Sequence, residues 1–201
     1  MGRKALKRER KTDLNKTGTW ADILFPFFQE NGIKGITMNK IAEVLNKSKT
    51  TLYDYFKTKE ELLEFLIDKQ LNQIEEFVAI LNDKELSFVD RHIKALEHLA
   101  MSISGISTLF LSDLRQHHPE LWGKIEDFLV FASGILEKFY IQGIKKGEFK
   151  DINPALLAMS DRLFFRMLAD PDFLDNANLS IKEAFEQYLE MKFFGLVKEK
   201  N

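Results

Sequence analysis

Between Thr37 and Leu63, apolar and polar positions recur with the period of helices, and turn chemistry interrupts them twice. Ile41, Val44 and Leu45 stand three and four residues apart, which places them on one helix face; Leu52 and Phe56 repeat the spacing one segment later. Asn46-Lys47-Ser48 separates the two segments. Asn tolerates the left-handed backbone that a sharp reversal needs, and Ser48 can cap the helix that follows. Ala42 is small enough for the helices to cross closely. Thr58 then opens a third helix with Glu61 three residues on, a capping box. The pattern predicts a helix-turn-helix.

The remaining chain is also helical in its periodicity. From Thr19 to Asn31, Trp20, Ile23, Leu24, Phe27 and Phe28 form an apolar stripe that ends at Gly32. Pro26 within it lacks an N–H and predicts a kink. The helix opened by Thr58 is expected to reach Leu81 through Leu62, Leu66, Leu71, Ile74 and Phe77. Further helices are expected over 85–103, 105–117, 119–146, 154–170 and 180–198, with breaks at Gly105, His118-Pro119, Gly147 and Pro171. No strand-like alternation, internal repeat or low-complexity tract is present. The expected fold class is all-α, a three-helix helix-turn-helix head on a helical-bundle body. Its divisions are a basic arm over 1–18, a head over 19–63 and a body over 64–201. The helix opened by Thr58 starts in the head and ends in the body, so its rotation would move one against the other.

Charge distribution sharpens this picture. The whole chain carries a formal −2, but residues 1–60 hold 13 Lys and Arg against 7 Asp and Glu, a net +6. The rest hold 16 basic and 24 acidic residues, a net −8. A basic head on an acidic body suits a protein that presents one end to a polyanion. The arm MGRKALKRERK reads as mostly disordered and able to collect phosphate contacts. With Leu52 and Phe56 inward, Lys49, Thr50, Thr51, Tyr53 and Tyr55 are expected on or near the outer side, where they can reach phosphates and base edges. Lys59 falls in the first turn of its helix, where the dipole disfavours a cation, so an anion such as a DNA phosphate is expected close by. Thr37, the expected cap of the first helix of the pair, completes the DNA-contact set.

These residues carry a resemblance. The run from Trp20 to Leu63 resembles the DNA-binding domain of the TetR family of bacterial transcriptional regulators. The shared features are Glu30-Asn31-Gly32, Thr37-Met38, Ile41-Ala42-Glu43, Ser48, Thr51-Leu52-Tyr53, Tyr55-Phe56 and Lys57 through Leu62. Asn46 and Lys47 depart from the usual Gly and apolar residue, Thr50 from a frequent Gly, Asp54 sits between the tyrosines, and Pro26 replaces a polar position. The resemblance implies an all-helical homodimer with a ligand-responsive body, and DNA contacts at Thr51, Tyr53, Tyr55 and Lys59.

In the body, 14 of the 18 phenylalanines lie after residue 60, and an aromatic-rich bundle can enclose an apolar cavity. His98, Met101, Phe110, Arg115, Trp122, Phe128 and Phe131 are the candidate lining for a small apolar or amphipathic effector. The last two helices are apolar enough to bury themselves within the body or, as the resemblance implies, to form half of a four-helix dimer interface; the dimer is the favoured reading, with Leu163, Phe164, Met167, Phe185, Tyr188 and Leu189 as candidates. A two-fold dimer matches two half-sites about 34–36 Å apart.

Other chemistry finds little support. There is no cysteine, so disulfides, thiolate zinc sites and cysteine nucleophiles drop out. His92 and His98 are six apart, His117 and His118 adjacent, and no HExxH or Gly-rich phosphate loop occurs. No metal, cofactor or catalytic residue is expected. No apolar run reaches the length of a membrane span and no signal core opens the chain, which implies a soluble, cytoplasmic protein. The expected function is a homodimeric repressor that binds a palindromic operator on double-stranded DNA and is released by its effector. The alternative is a helical small-molecule-binding or enzymatic protein of the same architecture that does not use DNA.

Overall fold

The computed structural model describes residues 14–168 and 171–196. Eleven helices occupy those residues: α1 (Leu14–Asn31), α2 (Met38–Val44), α3 (Lys49–Tyr55), α4 (Lys59–Glu75), α5 (Phe77–Asn82), α6 (Phe88–Ile103), α7 (Thr108–His117), α8 (Pro119–Lys145), α9 (Pro154–Leu168), α10 (Pro171–Ala177) and α11 (Ile181–Leu196). No strand occurs among the described residues, so the all-α expectation holds.

Hydroxyl caps start most of the helices that follow turns. Thr37, Ser48, Thr58, Ser87 and Ser107 each accept a backbone N–H from the first turn of α2, α3, α4, α6 and α7. At Thr58 the capping box closes: its Oγ1 accepts the Glu61 N–H at 3.1 Å, and the Glu61 carboxylate accepts the Lys57 N–H at 2.7 Å.

Three boundaries differ from the sequence reading. The first helix begins at least by Leu14 rather than Thr19, because Thr17 is buried and the Lys16 ammonium lies 5.0 Å from the Tyr55 ring. Residues 14–18 of the expected disordered arm are therefore helical, and 1–13 lie outside the described residues. The helix opened by Thr58 ends at Glu75, and α5 follows after Glu76. There the ladder tightens, the Glu76 N–H reaching Gln73 O at 3.4 Å and the Ala79 N–H reaching Glu76 O at 3.1 Å. Pro171, expected only to break a helix, opens α10; its missing N–H costs nothing in a first turn.

Helix α1 runs through Pro26 without interruption. Its Trp20, Leu24 and Phe28 pack with Ile33, Ile41, Leu52, Leu62 and Leu63 in the core of the head. In the body α8 packs against α9 most extensively, and also against α4 and α7. Helices α4 and α7 both also touch α1, so two helices join head to body.

Candidate nucleic-acid interface and interior cavity

The turn between α2 and α3 is built around Asn46, whose φ of 51° is the left-handed conformation expected there. The Asn46 N–H donates to Glu43 O at 2.9 Å and the Lys47 N–H to Ala42 O at 2.9 Å, so the reversal closes on the last turn of α2. Ser48 Oγ accepts the Thr51 N–H at 3.0 Å and lies 2.8 Å from Thr51 Oγ1. Asparagine thus does the work that glycine does in the resembled family.

Helix α3 buries Leu52, Tyr55 and Phe56 and turns Lys49, Thr50 and Tyr53 outward. Tyr53 is 41% exposed, with the Lys49 ammonium 5.7 Å from its ring centroid. Tyr55 corrects the sequence reading. It is 7% exposed and packs edge-on against Trp20 with centroids 4.9 Å apart, not on the outer side. Its spacing of three from Leu52 was the available signal, since i and i+3 share a face. Thr51 is half-buried and its hydroxyl is engaged by Ser48; Thr37 is exposed where it caps α2. The Lys59 ammonium donates to the Ile33 carbonyl at 3.3 Å, so the head itself supplies an acceptor for this first-turn cation.

Beneath the head, α7 grips the end of α1 and the turn after it. The Ser107 N–H donates to Gln29 Oε1 at 2.6 Å and its hydroxyl to Gln29 O at 2.7 Å. Asp113 accepts the N–H groups of Ile33 and Lys34 at 2.6 and 2.8 Å. This requires Gly32, whose φ of 70° is left-handed and whose place a Cβ would fill only 2.5 Å from Asp113 Oδ2. His118 is close by, its pKa lowered by burial and then by Lys59, against the opposing pull of Glu60.

Ion pairs fix α4 on both sides. The Lys69 ammonium meets Asp22 of α1 and also donates to the Gly18 carbonyl at 3.1 Å. Lys124 of α8 meets Glu64 at 2.7 Å and Asp68 at 2.8 Å. Burial works to lower the Lys124 pKa, but hydrogen bonds to Asp68 and Glu64 outweigh it and raise the value.

Above these contacts lies an apolar cavity of about 130 Å³, walled mainly by α4, α6, α7, α8 and α9. Of the candidate lining, Phe110, Trp122 and Phe128 reach it. His98, Met101, Arg115 and Phe131 do not. The His98 ring donates from Nε2 to Gln73 O at 2.8 Å, Met101 is 70% exposed, and Arg115 is exposed with its guanidinium 6.0 Å from the Trp122 ring. Phe131 points outward. The sequence reading does not include the wall from α4, with Ile67, Gln70 and Ile74, or Arg166, the one charged lining residue among those described. A helix read as a connector hid its role as a wall.

The terminal helices divide the dimer candidates. Leu163 and Met167 are exposed and continue a face begun by Leu156 and Met159 on α9, joined by Met191 and Phe194 on α11. Phe164 stacks on Tyr188 at 3.9 Å, Leu189 is half-buried, and Phe185 is fully buried inside the chain, so Phe185 cannot present a contact to a second copy. Next to this face the buried Lys192 ammonium meets Asp161, which also accepts hydroxyls from Tyr140 at 2.7 Å and Tyr188 at 3.0 Å. Desolvation leads in raising the Tyr140 and Tyr188 pKa values and in lowering that of Lys192.

Among the described residues no group of His, Asp and Glu gathers as metal ligands, and no helix is long and apolar enough to cross a membrane.

Comparison with known proteins agrees with the geometry. Residues 27–66 match the family described as bacterial regulatory proteins, tetR family. An uncharacterized HTH-type transcriptional regulator of Bacillus subtilis (strain 168), YvaF, is 22% identical over 175 residues, covering 86% of this chain and 90% of its own. The fatty acid metabolism regulator protein of the same organism is 32% identical over 132 residues, covering 61% and 64%. A crystal structure of a TetR/AcrR-family regulator from Thermobifida fusca YX-ER1 superposes with a TM-score of 0.66 at 20% identity, covering 90% of this chain and 98% of that one.

Proposed function

From the premise that the chain belongs to the TetR family and is a DNA-binding transcriptional regulator, we propose that it acts as a homodimeric repressor released from its operator by an apolar or amphipathic effector. The observation that carries the reading is the division of α3. Leu52, Tyr55 and Phe56 anchor the helix, leaving Lys49, Thr50 and Tyr53 free to enter a major groove. Thr51 lies beside them, and Thr37 and Lys59 flank the groove-facing helix as phosphate contacts. Tyr55 contributes by fixing α3 against Trp20, with at most its hydroxyl at the edge. Its relatives are regulators rather than enzymes, which sets aside the alternative of a helical protein that does not use DNA.

The apolar face of α9 and α11 supports a second copy of the chain as partner, which would pair two heads for a two-fold operator in the cytoplasm. The cavity supports the effector, because α4 and α7 wall it and also hold the head. A ligand that fits one arrangement of these helices better than another shifts the separation of the heads by that difference in affinity. The Bacillus subtilis relative named for fatty acid metabolism is consistent with an aliphatic effector.

Fluorescence anisotropy with a labelled duplex from upstream of the protein's own gene, against an unrelated duplex, tests the reading. Preference for the upstream duplex that persists as salt rises is the expected result. Equal binding to both, erased by salt, would reduce the head to a basic surface.

A further inference from the structure

Among the described residues that line it, the cavity is apolar except at two places. Gln70 is one, but its amide already donates to the Ser102 carbonyl at 2.7 Å. The other is Arg166 on α9, the only charged side chain among the described residues of the lining. Its Nε lies 3.2 Å from Glu126 Oε1 in an ion pair, and the pair stays partly open, with side-chain exposures of 55% for Arg166 and 33% for Glu126. The guanidinium therefore sits at the edge of the cavity rather than in its depth, with further N–H donors beyond the one that Glu126 occupies. An apolar interior with one cation at its rim orients a ligand: tail inward, anion outward.

We infer that the cavity takes an aliphatic monocarboxylate whose head is held by Arg166, in exchange for or beside Glu126, while its tail lies among Ile125, Phe128 and Phe165. The inference rests on the effector reading above and gives that ligand its chemical class. Carboxylate suits the planar guanidinium fork, which two parallel N–H groups can engage. A neutral head would leave that donor set to Glu126 and water, and a cationic head would face Arg166 unfavourably.

Size adds a second condition. A cavity of about 130 Å³ is close to the volume that encloses one benzene ring. A tail of about six carbons fills it as it stands. Longer tails must part the walls, and two of those walls, α4 and α7, hold the head. Affinity is expected to rise about fourfold per added CH2 where burial is complete, and to rise less once the walls must move. The coupling to the head is strongest where that slope falls.

The test is isothermal titration of the full-length protein, without DNA, with hexanoate, octanoate and decanoate and with the matching primary alcohols. The carboxylates are expected to bind at least about tenfold more tightly than alcohols of equal length. In Arg166→Gln that advantage disappears while alcohol affinity stays, and in Glu126→Gln the carboxylates bind more tightly still. Equal binding of acids and alcohols by the wild-type protein would overturn the inference, as would an equal loss of both in Arg166→Gln or no binding of any acid. Because the readout omits DNA, each of these outcomes leaves operator binding intact, whereas failure of the regulator reading appears only in the duplex experiment.

Discussion

Asp113, in the body, accepts the backbone N–H of Ile33, in the turn that leaves the first helix of the head, at 2.6 Å. The same oxygen accepts the Lys34 N–H, and the Ile33 carbonyl takes the Lys59 ammonium. One peptide segment is thus tied on one side to α7 and on the other to the helix that follows α3. Helix α7 also supplies Phe110 and Leu111 to the cavity, so a shift of that wall would be expected to reach the head.

Asp113→Ala removes an acceptor from two N–H groups and is expected to cost about 1–3 kcal/mol in stability. Thermal unfolding should show the loss, and Asp113→Asn, which keeps one carbonyl oxygen, should lose less. The sharper readout is coupling. Operator affinity of Asp113→Ala should change less between effector-free and effector-bound states than that of the wild type, even where effector affinity is unaltered. Unchanged coupling would assign transmission to α4 alone.

On the face of α3, two substitutions separate charge from recognition. Lys49→Ala should weaken binding to any duplex and reduce the slope of log affinity against log salt by about one. Tyr53→Ala should weaken binding to the operator while leaving that slope in place, because the side chain carries no charge. Anisotropy over a salt series measures both. Tyr55→Ala is expected to act through stability, since it empties a buried site against Trp20 at a cost of about 3–5 kcal/mol.

The head was almost fully legible in the sequence because its signals are local. Ser48, Thr58 and Asn46 each act within four residues, and Leu52 and Phe56 reveal an inward face by spacing alone. Tyr55 departs from that reading because it stands three residues after the inward Leu52 and so shares its face, against Trp20. The body was legible only as helices. Which of its aromatic side chains meet in a cavity depends on how the helices that wall it cross, and sequence distance carries no trace of that. Phe110 and Trp122 share the cavity with Ile67 and Arg166, residues from four helices, while Phe131, three residues from the lining Phe128, points away.

The outer face of α9 and α11 exposes Leu163 at 50% and Phe194 at 71%. Apolar side chains exposed together on neighbouring helices are expected to be covered by a second copy. Leu163→Glu would place a charge in that contact, and sedimentation should show a monomer with helical content unchanged. Operator binding should fall with it, because a single head spans one half-site. Phe185→Glu, in contrast, should unfold the chain, since Phe185 has no exposed surface.

His92 contributes a pH dependence of its own to stability. It is fully buried among Phe139, Tyr140 and Phe149, and neither ring nitrogen has a hydrogen-bond partner among the described residues. Burial, and then the Lys192 ammonium, lowers its pKa to about 3, against 6.5 for an ordinary histidine. Between those values the unfolded chain binds a proton that the folded chain refuses. Stability is therefore full above pH 6.5 and falls as the pH drops toward 3, by up to about 1.4 kcal/mol per pH unit from this group. His92→Phe removes that contribution and two unsatisfied nitrogens together. Urea unfolding at pH 7 and pH 5 should show a smaller difference for the variant than for the wild type, whatever offset the new ring introduces. Identical pH dependence in the two would mean that His92 is protonated in the fold, and that the aromatic cage around it opens to water.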